Sequence, residues 1–116
     1  MFQNFILDDD KIARKTPVSY TRAYSVEELM MQLQTNSDPI GVVTFDNDLG
    51  TSLEGYDALK MMLNHGYFAK HYNIHSANVI AVNNMVAYLK SAMKTNYIPN
   101  ATITTYSLQE LTQKGI

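Results

Sequence analysis

No cysteine occurs among the 116 residues. That excludes disulfides, thiolate metal sites and a cysteine nucleophile. Long apolar runs are missing as well, and none approaches the roughly 20 residues that a membrane span needs. The opening Met1-Phe2-Gln3-Asn4-Phe5 lacks the basic region and long apolar stretch of a signal peptide. Together these absences set the expectation of a soluble, cytoplasmic protein with no membrane partner. There is no strong excess of charge either: Lys and Arg number 9, Asp and Glu 11, a net −2. That removes the electrostatic footprint of non-specific binding to duplex DNA, but leaves open a small nucleotide or a single RNA end. Internal repeats, low-complexity tracts and linkers are also lacking. Residues 1–116 are therefore expected to form one domain, and an apolar share of 46% is ordinary for a single core.

What is present centres on Val42-Val43-Thr44-Phe45-Asp46-Asn47-Asp48-Leu49-Gly50. A β-branched apolar run stops at two acids that flank an amide, so a buried strand is expected to feed straight into a polar turn. Gln3 to Asp8 reads as a first strand, ended by Asp8-Asp9-Asp10 because consecutive acids disfavour a strand. Residues 11–18 read as a connection, and Val18 to Tyr24 as an edge strand. Ser25-Val26-Glu27-Glu28 fits a capping box, and Val26, Leu29, Met30 and Leu33 follow at helical spacing. After the central strand at residues 40–45, Gly55 to His65 reads as a helix stopped by Gly66. Tyr72 to His75 reads as a short strand. Asn78 is placed to cap a third helix running to Lys94, and Ala101 to Tyr106 as a thin last strand. Ser107-Leu108-Gln109-Glu110 is a second capping box that opens a terminal helix. Strand and helix alternate, which predicts an α/β fold with a mostly parallel five-stranded sheet and helices on both faces. The short link between the first two strands leaves the direction of the second open, because a parallel crossover usually takes a dozen residues or more.

In such sheets ligands bind outside the carboxyl ends of the strands. Asp8, Asp9, Asp46, Asp48, His75, Ser76 and Asn78 are all expected at that rim. Carboxylates suit a hard cation such as Mg²⁺, which keeps waters and substrate phosphates in its shell. His75 can move a proton near neutral pH. Ser76 and the N–H groups at the start of the third helix can hold an anion. Asn83 and Asn84 are unusual inside a helix, and one of them is a candidate to reach the site. The methionines read as core filler, and His65 and His71 as surface residues.

Taken together, Leu7-Asp8-Asp9-Asp10-Lys11, Phe45-Asp46-Asn47-Asp48-Leu49-Gly50, Gly55-Tyr56-Asp57, and His75-Ser76-Ala77-Asn78 with Asn84-Met85 resemble the cyclic-phosphate-processing receiver family. The resemblance spans roughly residues 5 to 90. It implies a receiver-like, doubly wound sheet of order 2-1-3-4-5. It also implies a role with 2′,3′-cyclic phosphates or related phosphate ends, in RNA repair or nucleotide signalling. Under it Asp8, Asp9 and Asp46 form the metal set, Asp46, Asp48 and His75 the catalytic set, and Lys11, Asn47, Ser76, Asn78 and Asn84 the phosphate or ligand set. Several positions depart from the family pattern. Asn47 stands where His is common, Lys11 where Arg is common, and Val79 and Ala81 where Pro and Gly are common. Thr104-Thr105-Tyr106 replaces the Lys of ordinary receivers, which argues against a phosphorylation switch.

Three readings follow. One is a metal-assisted phosphoesterase that opens a cyclic nucleotide or a cyclic phosphate on an RNA end. The second is a module that sequesters such a ligand unchanged, for instance in a phage–host conflict. The third is a degenerate receiver that binds only protein.

Overall fold

The computed structural model of the protein describes residues 1–10 and 19–116. Five strands run in chain order as β1 (Gln3–Leu7), β2 (Tyr20–Ala23), β3 (Ile40–Phe45), β4 (Ala69–Ile74) and β5 (Thr102–Thr104). They form one sheet in the order β2-β1-β3-β4-β5, and every neighbouring pair is parallel. Interleaved with them are the helices α1 (Val26–Thr35), α2 (Gly55–Asn64), α3 (Val79–Lys94) and α4 (Leu108–Gln113). This is the expected receiver-like α/β fold. The direction of β2, left open by the short link, is parallel, with Asn4 opposite Tyr20 and Leu7 opposite Ala23.

The helices begin and end where their caps dictate. Asn78 accepts the Ala81 N–H at the start of α3, and Ser107 and Glu110 form a reciprocal box at α4. At α1 half of the expected box forms: Ser25 Oγ takes the Glu28 N–H. The Glu28 carboxylate reaches past the cap to the Tyr24 N–H instead, which ties β2 to the helix that follows. Gly66 closes α2 with φ +76°, a left-handed conformation that glycine adopts without a Cβ penalty.

Side chains alternate across the parallel ladder, so the two faces of the sheet differ in character. Phe5, Leu7, Val43, Phe45, Tyr72 and Ile74 meet α1, α2 and α3 through Leu29, Leu33, Leu59, Met62, Met85 and Leu89 in the main core. The other face carries a smaller cluster of Ile6, Tyr20, Leu108 and Leu111. Among the described residues the helices are divided unequally: three cover one face, and the six-residue α4 packs on the other.

β1 ends one residue early at Leu7, β2 is confined to Tyr20–Ala23 with Val18 and the expected connection 11–18 outside the described residues, and β4 and β5 also differ from expectation. β4 starts at Ala69, three residues early, although Lys70 and His71 break the apolar pattern. Its place between β3 and β5 overrides propensity. β5 stops at Thr104, because the backbone N–H and C=O of Tyr106 are bonded by the Asn73 side chain and not by a strand. No helix among the described residues is long and apolar enough to cross a membrane.

Tyr20 is 8% exposed, and its hydroxyl has no hydrogen-bond partner among the described residues. A buried hydroxyl left unpaired costs about 1–3 kcal/mol, so Tyr20→Phe should stabilise the fold, by about 1 kcal/mol in urea denaturation. Burial also pushes the Tyr20 hydroxyl pKa up to about 12. The unfolded chain releases this proton first, so stability holds below pH 10 and falls between pH 10 and 12. Tyr20→Phe should flatten that fall, and an unchanged alkaline limb would refute the assignment.

Candidate functional site

The parallel register builds the site. Leu7 lies opposite Phe45 and Phe45 opposite Ile74. The ladder then runs one bond further on each strand: Asp8 N–H to Ala23 O at 3.0 Å, Asp46 N–H to Leu7 O at 2.9 Å, and His75 N–H to Phe45 O at 2.9 Å. The first residue past each of β1, β3 and β4 is therefore Asp8, Asp46 and His75, side by side. Each offers a ligand atom within 4.8 Å of the other two, an arrangement able to hold a metal ion. Asp8 is fully buried and Asp46 is 7% exposed.

Asp8 is held by several partners. Its Oδ1 accepts the Asp10 N–H at 2.8 Å and lies 3.5 Å from the Arg22 guanidinium. Its Oδ2 is 2.9 Å from His75 Nε2. Arg22 also donates to the Asp10 backbone carbonyl and lies over the Tyr24 ring. Arg22 was not among the residues expected at the site. A basic residue on an edge strand reads as solvated, and only the parallel pairing of β2 with β1 carries it to the Asp8 rim.

Beneath His75 a chain of buried polar groups fixes the imidazole. Nδ1 is 2.7 Å from Thr44 Oγ1, and Thr44 Oγ1 accepts from Asn73 Nδ2 at 2.8 Å. The Asn73 amide is fully used: its second N–H goes to Tyr106 O, and its Oδ1 accepts from Thr104 Oγ1 and Tyr106 N. Thr44 accepts from Asn73 and so has its own proton to give to His75 Nδ1. That leaves the imidazole proton on Nε2, aimed at Asp8. The chain ends at His71, whose Nε2 lies 2.6 Å from Thr104 Oγ1. Since the Thr104 hydroxyl proton goes to Asn73, His71 is the donor there. His71 is thus half-buried and bonded, not the surface residue its neighbours in sequence suggested.

The other expected residues are distributed as follows. Asp9 is exposed and stands outside the three-residue group, and Lys11 lies outside the described residues. Asp48 is exposed; its Oδ1 accepts from Asn47 Nδ2 at 3.0 Å and Asn78 Nδ2 at 3.2 Å. Asn47, the residue in the usual His position, is 8% exposed. Its Oδ1 accepts the Tyr56 N–H and its backbone carbonyl the Gly55 N–H. It pins the loop after β3 onto the start of α2. Ser76 Oγ accepts the Asn78 N–H at 3.0 Å. Asn84 is exposed on α3 and lines a groove with Asn47 and Asn78.

Residues 3–91 match the profile of the cyclic-phosphate processing receiver domain. The chain belongs to that family. No curated protein and no solved structure matches it. The receiver family accords with the five-stranded order. It does not account for Arg22 or for the Asn73 network, which are read from the geometry.

Gly55 shows how tightly the receiver rim is packed. A Cβ there would sit 2.0 Å from the Asp46 carbonyl oxygen and 2.8 Å from Asn47 Cα. Both are backbone atoms, so Gly55→Ala has to push α2 away from the loop that carries Asp46. It should cost about 1–3 kcal/mol of stability, and an unchanged denaturation midpoint would refute this. A second test concerns pH. Burial holds the His71 imidazole below its ordinary pKa. The unfolded chain then takes up this proton first as pH falls, so the His71 contribution is intact above about pH 6.5 and declines below it. His71→Gln keeps a donor for Thr104 and should lessen the drop in thermal stability between pH 7.5 and pH 5.

Proposed function

We propose that this protein opens a cyclic phosphate, on a nucleotide or on the end of an RNA, by metal-assisted hydrolysis. The observation that carries the reading is the convergence of Asp8, Asp46 and His75 at the strand ends of a chain in this family. Asp8, Asp46 and His75 Nε2 would hold one divalent cation, with Thr44 Oγ1 able to accept from Nδ1 once Nε2 is a ligand. When bound, such a cation neutralises phosphoryl charge and acidifies water. Mg²⁺ suits the two carboxylates, and the imidazole widens the set towards Zn²⁺.

The protein's own groups divide the remaining work. His75 Nε2 cannot be both ligand and proton carrier, so the proton carrier in this reading is Asp48. It is exposed, two residues beyond Asp46 in the chain, and oriented by two amide donors. Asp48 takes a proton from the attacking water, the water oxygen bonds to phosphorus, and one ester bond of the ring breaks. Solvent returns a proton to the departing oxygen. The Ser76 hydroxyl and the first two N–H groups of α3, ahead of the Ala81 N–H that Asn78 caps, are placed to receive an anionic oxygen.

Sequestration without turnover is the second reading. Both nitrogens of His75 and both oxygens of Asp8 already have protein partners. The two readings separate in one assay. The protein is incubated with 2′,3′- and 3′,5′-cyclic nucleotides in Mg²⁺, Mn²⁺ or Zn²⁺, and both bound ligand and product are measured. The expected result is metal-dependent ring opening that falls at least about a hundredfold in Asp46→Asn and in Asp48→Asn. Saturable binding with the ligand recovered intact would support sequestration. Full activity of Asp46→Asn would overturn the site assignment.

A further inference from the structure

Arg22 reaches the rim from β2, and its side chain is only 9% exposed. Its guanidinium meets three groups there. It lies 3.5 Å from Asp8 Oδ1, donates to the Asp10 backbone carbonyl, and sits 5.3 Å from the centre of the Tyr24 ring. The backbone behind it is tied down as well. Arg22 pairs with Ile6 of β1, and its carbonyl accepts from Gln32 Nε2 of α1 at 2.9 Å. A guanidinium taken out of water needs such partners, and its planar fork then has one orientation.

The guanidinium addresses one oxygen of Asp8 and not the other. Oδ1 accepts the Asp10 N–H at 2.8 Å and faces Arg22. Oδ2 points to His75 Nε2, 2.9 Å away. With Oδ1 engaged, Asp8 has a single oxygen to give to a cation shared with Asp46 and His75.

We infer that Arg22 is a positioning residue for the cation: by holding Oδ1 it makes Asp8 a one-oxygen ligand, and so fits the site to a small ion such as Mn²⁺ and against Ca²⁺. Ca²⁺ collects about 6–8 oxygen ligands and often takes both oxygens of a carboxylate. Two carboxylates and one imidazole nitrogen, with Asp8 held to a single oxygen, suit an ion of lower coordination that tolerates nitrogen. Groups that orient a ligand from behind account for about 10–100-fold in metal affinity. The inference rests on the proposed function only for a cation between Asp8, Asp46 and His75, and it requires no turnover. Charge and orientation act with opposite signs here. A positive charge beside the site repels a cation, so removing a mere counter-ion would tighten binding. Removing a group that orients Asp8 loosens it.

Calorimetry with Mn²⁺ alone and Ca²⁺ alone compares the full wild-type chain with Arg22→Gln and Arg22→Lys. Mn²⁺ broadening of the Asp46 and His75 amides in NMR spectra locates the ion. The wild type should bind Mn²⁺ at least about tenfold more tightly than Ca²⁺. Arg22→Gln should weaken Mn²⁺ binding at least about tenfold and narrow the preference over Ca²⁺. Arg22→Lys keeps the charge but cannot span Asp8 and Asp10 as a fork, so its Mn²⁺ affinity should fall between the other two. If Arg22→Gln loses its folded amide spectrum, the Mn²⁺ to Ca²⁺ ratio of Arg22→Lys decides. Tighter Mn²⁺ binding in Arg22→Gln makes Arg22 a counter-ion only, and overturns the inference while the cation site stands. Unchanged affinities in both variants overturn it as well. Cation binding of the expected pattern without ring opening leaves the inference standing and overturns the hydrolytic reading. If the wild type binds neither ion at Asp46 and His75, both fall.

Discussion

Everything at the rim depends on three backbone hydrogen bonds that carry the parallel ladder one residue beyond the apolar strands. They bind the amides of Asp8, Asp46 and His75 to the carbonyls of Ala23, Leu7 and Phe45. Because the bonds lie in one row, two acids separated by 37 intervening residues and a histidine 29 residues further on emerge at the same level. A slip of one residue in any strand would turn its polar end residue to the other face and dismantle the group. The apolar residues just before them resist that slip. Leu7, Phe45 and Ile74 are at most 1% exposed in the main core, and a slip would take each out of it.

A buried cluster of carboxylates needs compensating groups, and the second face of the sheet supplies them. Arg22 comes from β2 and brings a positive charge to Asp8. His75 reaches Asp8 from β4, and Thr44 and Asn73 hold its ring from behind. Polar networks in a low-dielectric interior are favourable only when every member is satisfied, and the Asn73 amide meets that condition with four bonds. The same amide ends β5 by taking both backbone groups of Tyr106. One side chain thus orients the site and sets the limit of the edge strand.

The loop after β3 has a comparable double role. Asn47 faces α2 with its carbonyl oxygens and Asp48 with its amide nitrogen. Where the family commonly places His, this chain has a side chain that staples a helix start to the acid-bearing loop. Gly55 permits this staple by letting the helix start touch the Asp46 backbone.

Much of this was legible in the residues alone. The apolar runs that end in acids, the capping residues Ser25, Asn78 and Ser107, and the stop at Gly66 act over a few neighbouring positions, so composition and spacing reveal them. The strand order and the acidic rim were legible through the family's motifs. Four things were not. Arg22, His71 and Asn73 look like surface or turn residues, because polar side chains in a strand are ordinarily solvated. They found their partners only when β2, β4 and β5 paired in register and brought distant segments together. The exclusion of Asp9 from the group was equally hidden, since consecutive acids are equivalent on paper and alternation sends them to different sides. The sequence by itself determined which residues can strand, cap and carry charge. The tertiary structure alone decided which of those charges meet, because that is a property of register between strands and not of any one of them.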